Sequence, residues 1–212
     1  MSKSLVIVDS RVENYLSLIP SDTPFIVLDA SQEGLAQIQT AIKNYSDLDT
    51  IHILSHGSQG TLYLGSTQLT TNTLSHYREA LTAIGHTLSA DGDLLLYGCQ
   101  IAQGSQGHAF IKQLAKLTKA DVGASDDITG YQGDWDLEVR TGAIQSALLK
   151  DDAYQQQLGL TVTPNTVIVR DHTSGEFANL FAYAAIKSDG SVVTWGNSYY
   201  GGDSNAVTRS LD

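Results

Sequence analysis

A chain of 212 residues with 23 acidic and 12 basic side chains carries a net charge of −11, which repels a polyphosphate backbone and excludes nucleic acid as a partner. Hydrophobic residues make up 42% and charged residues 17%, and no apolar run approaches the roughly 18 residues of a membrane span, so a soluble globular chain with a full core is expected and a membrane span is not. The N-terminus, Met1 to Ser4 followed by a short apolar run ending at Asp9, lacks the long apolar region of a secretory signal peptide, and a single cysteine, Cys99, leaves no intrachain disulfide.

The first elements are "LVIVD" (5–9) and "PFIVLD" (24–29), continuous apolar runs ending in Asp, as in parallel strands covered on both faces. Between 31 and 44, Leu35, Ile38, Ala41 and Ile42 recur at helical spacing behind Ser31, the expected N-cap. "TIHIL" then predicts a third buried strand, and "GTLYLGSTQLT" alternates with period two around Gly65-Ser66, which predicts a small hairpin. Leu74, Tyr77, Leu81, Ile84 and Leu88 place a helix over 73–88. "DLLLYGC" (93–99) is a fourth buried strand, 107–117 a further helix and "ADVGAS" (120–125) a short fifth strand. "GDWDLEVRTG" and "AIQSALL" read as a terminal strand or hairpin.

Strand and helix alternating in this way predict an α/β fold, a mainly parallel sheet with helices on both faces and strand order 2-1-3-4. Ligands of such sheets sit beyond the carboxyl ends of the strands. His56, in "TIHILSHGSQG", and Cys99, in "DLLLYGCQIA", both fall there on strands expected to be neighbours. The bland readings are a small buried thiol and a strand-end histidine bonded to a carbonyl. The reactive reading pairs the two: Cys99 as nucleophile, His56 as acid and base, and the backbone N–H groups of Gly57 and Cys99 as donors to an oxyanion. A nearby imidazolium or a following helix N-terminus would lower the thiol pKa, and glycine at 57 would let a substrate carbonyl come close.

A metal held by His52 and His56 fails on reach, since four residues of strand span about 13 Å, so no metal or other cofactor is implied by the histidines. Asp126 and Asp127 follow the fifth strand onto the same edge, where they would line a pocket for a basic substrate side chain or form a solvated acidic turn. A calcium site from Asp126, Asp127, Asp134 and Asp136 is the lesser alternative, because the spacing is not that of an EF-hand loop.

On "HILSHG" and "LLLYGCQIA" the chain resembles the caspase-like clan of cysteine peptidases, in which one strand ends in His-Gly and the next in the nucleophilic Cys. The true caspase signature Gln-Ala-Cys-x-Gly is absent, the sequence reading Tyr97-Gly98-Cys99-Gln100-Ile101. With "DDITG" and "GDWDLE" added, it is similar to an uncharacterised domain family found near the N-termini of very large cyanobacterial and proteobacterial surface proteins. That resemblance implies a place in a larger multidomain protein, at the cell surface or outside the cell, with a cytoplasmic location as the alternative. Further on, "FAYAAIKSDGSVVTWGNSYYGGD" resembles one repeat of the regulator-of-chromosome-condensation type of β-propeller, with a hairpin around Asp189-Gly190. The expected organisation is therefore a caspase-like α/β domain over 1–158, a linker over 159–176 and a single partial repeat over 177–212. Two functions remain open: a cysteine endopeptidase that cuts its own chain or another polypeptide, and a catalytically silent interaction module of a surface protein.

Overall fold

The computed structural model describes residues 3–159 and two further strands, 182–186 and 192–196. The chain divides into two compact units, Met1–Leu160 and Thr161–Asp212. In the second, β10 (Ala182–Ile186) and β11 (Val192–Gly196) pair antiparallel. The turn expected around Asp189-Gly190, the linker from residue 160 onward and the rest of the propeller-like repeat lie outside the described residues.

The first unit is an α/β fold built on a six-stranded sheet of order β2-β1-β3-β7-β8-β9. The strands β1 (Ser4–Asp9), β2 (Phe25–Leu28), β3 (Leu48–Leu54), β7 (Leu88–Tyr97) and β8 (Asp121–Ala124) run parallel, and only the edge strand β9 (Val139–Arg140) is antiparallel. The expected order 2-1-3-4 is thus the order of the first four parallel strands. Of the expected terminal hairpin only β9 forms, and the chain from 141 to 151 is irregular. Beyond β3 the predicted hairpin is present as β5 (Thr61–Leu64) and β6 (Thr67–Thr70), joined by a short strand β4 (Gly57–Ser58) to make a separate antiparallel sheet.

Three α-helices connect the parallel strands: α1 (Gly34–Ala41), α2 (Arg78–Thr87) and α3 (Gly104–Thr118). The cap of α1 is Glu33, whose carboxylate accepts from Leu35 and Ala36 N–H, while Ser31 bonds back to Asp29 in the preceding turn. Ser31 is therefore not the cap: a carboxylate two residues on is closer to the first free donors of the helix and carries the charge its dipole favours.

All three α-helices pack in one core layer, with Leu35, Ile38, Leu81, Ile84, Phe110 and Leu114 against Leu5, Ile7, Ile51, Ile53 and Leu94 of the sheet. The other face presents Val6, Val8, Leu54, Leu95 and Tyr97, and its cover is a short 3-10 helix (Tyr15–Leu18) together with irregular chain carrying Trp135, Leu137, Leu149, Tyr154 and Leu158. Right-handed crossovers explain the asymmetry. From β2 to β8 each crossover moves across the sheet in one direction and lies on one side, whereas the β1–β2 connection moves the opposite way. Among the described residues no helix is long and apolar enough to cross a membrane.

His52 belongs to this second face. It is 3% exposed, stacks on Tyr97 with ring centroids 5.9 Å apart, and places Nδ1 3.3 Å from the Tyr97 hydroxyl. Burial lowers its pKa to about 4, Asp93 pulling weakly the other way. A neutral buried histidine stabilises least where the unfolded chain binds the proton and the folded chain does not. Stability is therefore expected to be full above pH about 6.5 and to fall by about 3 kcal/mol as the pH drops to about 4. Urea unfolding of wild type and His52→Gln across that range checks this: the acid loss should shrink in the variant, and equal slopes would show that His52 carries none of it.

Candidate functional site

The carboxyl ends of β1, β3, β7 and β8 meet at one edge of the sheet. The last register pair between β3 and β7 is Leu54 with Tyr97, and two residues beyond it on each strand stand His56 and Cys99. Ser55 N–H still bonds Tyr97 O at 3.1 Å, which keeps the two ends side by side as they leave the sheet. The expectation that both residues end neighbouring strands matches this register.

His56 is half-buried and its Nε2 lies 3.2 Å from the carbonyl oxygen of Arg11. Its other nitrogen, Nδ1, is buried without a hydrogen-bond partner. The loop carrying Arg11 is anchored by Asp9, fully buried at the end of β1, which accepts from Arg11 N–H (3.0 Å), Nε (2.7 Å) and Nη2 (2.8 Å), and from Gly65 N–H (2.7 Å). Burial alone would raise the Asp9 pKa, but these donors outweigh it and hold the carboxyl below its ordinary value. Asp9 thus fixes, through Arg11, the carbonyl that orients the imidazole.

Cys99 is 5% exposed. Its sulfur accepts from Thr129 N–H at 3.3 Å and lies 3.6 Å from Thr129 O. Burial pushes the thiol pKa up and Asp127 adds to the rise, while the Thr129 N–H opposes it. The expected lowering by a helix N-terminus does not arise, because α3 begins only at Gly104, after a turn in which Gln100 is left-handed (φ 62°). Cys99 rests as a thiol.

Two backbone donors converge beside this sulfur. Gly57 N–H and Cys99 N–H both bond the carbonyl oxygen of Leu158, each at 3.0 Å. That is the distance and the pairing required of donors to a developing oxyanion. The need for glycine at 57 has a different origin from the one expected. A Cβ there would stand 2.5 Å from Ile101 Cγ1 and 2.9 Å from Cys99 O, so the missing side chain makes room for the Cys99 turn rather than for a ligand.

Leu158 is fully buried in the second-face apolar cluster together with Cys99, Tyr97, Trp135 and Tyr154. Asp126 and Asp127 make other contacts: Asp126 N–H bonds Glu138, Asp127 O accepts from Gln100 N–H, and the Asp127 carboxylate lies 3.4 Å from Ser125 Oγ. The side chain seated beside Cys99 is thus aliphatic. For a cation, Asp127, Asp134 and Glu138 bring carboxylate oxygens within 4.8 Å of one another at the surface, a set that shares only Asp127 and Asp134 with the one expected. A cavity of about 530 Å³ lies elsewhere, at the opposite end of the strands among Ser4, Asp49, His52 and Ser146.

Three participants escaped the sequence reading: Arg11, Thr129 and Leu158. The first two act through main-chain groups that every residue possesses. Leu158 did carry a signal, since the sequence changes character at "QQQLGL".

The fold and this edge define an α/β domain whose strand-end loops hold one histidine and one cysteine. The chain matches the model of the family described as "Domain of unknown function (DUF4347)" over residues 5–160, and it belongs to that family. Among curated proteins there is no match. Among solved structures it is similar to one described as "Crystal structure of a small-chain dehydrogenase", at 12% identity and a TM-score of 0.29, over 55% of this chain and 77% of that one.

Proposed function

We propose that the domain is a cysteine endopeptidase of caspase-like type, with Cys99 as nucleophile and His56 as acid and base. The observation that carries this reading is the pair of N–H groups, from Gly57 and Cys99, aimed at one carbonyl oxygen next to the only thiol in the chain. A polypeptide carbonyl is the group such a pair is built to hold. His56, held at Nε2 by Arg11 O, keeps Nδ1 free to take the thiol proton as Cys99 attacks and to pass it to the leaving amine. Because burial favours the thiol, that transfer accompanies substrate binding rather than preceding it.

A second reading has an observation of its own. A thiol 5% exposed, with its pKa pushed up, is what a silent interaction module would retain. In either case we read the chain as the N-terminal part of a larger surface protein, the β10–β11 hairpin beginning a propeller-like repeat.

Electrophilic peptides of mixed sequence, followed by intact mass and by cleavage of a peptide library with and without millimolar calcium, separate the readings. Wild type is expected to be acylated at Cys99 and to turn over library peptides, and Cys99→Ala to do neither. Equal behaviour of the two chains would leave the interaction module.

A further inference from the structure

We infer that the peptide bond this site cuts is the chain's own Leu158–Gly159 bond, an inference that rests on the cysteine peptidase reading and names its substrate. Residues 156–158 lie against 129–131 through one antiparallel bridge and its flanking main-chain bonds. Leu158 N–H donates to Thr129 O at 3.0 Å, Tyr131 N–H donates to Gln156 O at 2.8 Å, and Gln157 bridges Gly130. Main-chain pairing of this kind holds an extended peptide in register while side-chain seats select it.

The register delivers one bond to the reactive groups. The Leu158 carbonyl takes both N–H donors, its side chain is seated in the apolar cluster, and Gly159 runs past the sulfur. A Cβ on Gly159 would stand 3.3 Å from Cys99 Sγ, closer than side chains ordinarily pack. The same contacts define the substrate class: an aliphatic residue before the cut bond and a small one after it.

The reaction balances within the chain and one water. Cys99 Sγ gives its proton to His56 and attacks the Leu158 carbonyl carbon, and the negative oxygen stays on Gly57 and Cys99 N–H. The C–N bond breaks as His56 returns the proton to the Gly159 amine, leaving a thioester between Cys99 and Leu158. Water, deprotonated by His56, attacks that thioester, which yields the Leu158 carboxylate and restores the thiol. The cut falls two residues before the boundary between the units, Leu160/Thr161, and separates the chain into 1–158 and 159–212.

The test uses the full chain, expressed as wild type, Cys99→Ala, Gly159→Pro and Leu158→Asp, and reads intact mass and the new N-terminus with and without millimolar calcium. Wild type is expected to yield two fragments, the second beginning at Gly159, at a rate unchanged over a hundredfold dilution. Cys99→Ala should stay whole with a urea midpoint near wild type, and Gly159→Pro should stay whole with a lower midpoint, because its ring crowds Cys99 Sγ. Leu158→Asp should be cut at least a hundredfold more slowly and, with its seat vacated, should be acylated at Cys99 by an electrophilic peptide ending in leucine. A whole wild-type chain, or a cut elsewhere, overturns the inference. If Leu158→Asp or Gly159→Pro is nevertheless acylated at Cys99, the peptidase reading survives alone. If no folded variant is acylated, both fall.

Discussion

The Gly57→Val substitution is expected to destabilise the first unit by about 3 kcal/mol and to abolish Cys99-dependent chemistry together with it. Gly57 is buried where the chain leaves β3, and any Cβ there meets Ile101 Cγ1 at 2.5 Å, Cys99 O at 2.9 Å and the carbonyl carbon of Gly98 at 3.0 Å. Two of these three are backbone atoms of the turn that presents Cys99, so relief moves the Cys99 thiol. Both donors to the Leu158 carbonyl move as well, since one belongs to residue 57 and the other to residue 99. Urea unfolding measures the first effect and acylation at Cys99 the second. A valine variant with the wild-type midpoint would mean that this turn yields at little cost.

The largest effect without loss of fold is expected from His56→Gln, which should slow Cys99-dependent hydrolysis by about a hundred- to ten-thousand-fold. Glutamine can still donate to Arg11 O, the bond that Nε2 makes at 3.2 Å, and His56 is only half-buried, so the urea midpoint should stay near wild type. What the amide lacks is a basic ring nitrogen that can take a proton and pass it on. The loss should therefore fall on turnover and on its pH profile rather than on peptide binding. Undiminished turnover in the variant would reduce His56 to a strand-end histidine bonded to a carbonyl.

The parallel core and the placing of His56 and Cys99 just past the ends of neighbouring strands were legible because buried parallel strands are continuous apolar runs with sharp polar ends. "TIHILSHG" and "DLLLYGC" each place a reactive side chain two residues past the last register pair. The second face was not legible. Residues 141–158 follow neither a helical nor an alternating pattern, and their anchors, Leu149, Tyr154 and Leu158, are spaced by an irregular path. The groups that complete the site are mostly main-chain: Arg11 O, Thr129 N–H and Leu158 O have no residue preference to read. Ser31 shows the same limit at small scale, for two capping side chains stood within two residues and only the fold decides between them.

The unequal covering of the two sheet faces has a consequence for how the molecule assembles. The α1–α3 layer is assembled by connections between successive strands, so most of its contacts close short loops. The opposite layer joins the two ends of the unit: the Tyr154 hydroxyl donates to Glu13 O across 141 residues of chain. Contacts that close the longest loops carry the largest closure entropy and tend to be secured late in folding. The cover that includes 149–158 is therefore expected to dock last, onto a helical side already packed. Until that cover docks, Leu158 O is absent from the Gly57 and Cys99 donors, so this edge of the sheet is completed by the most distant contacts in the unit rather than by its local ones.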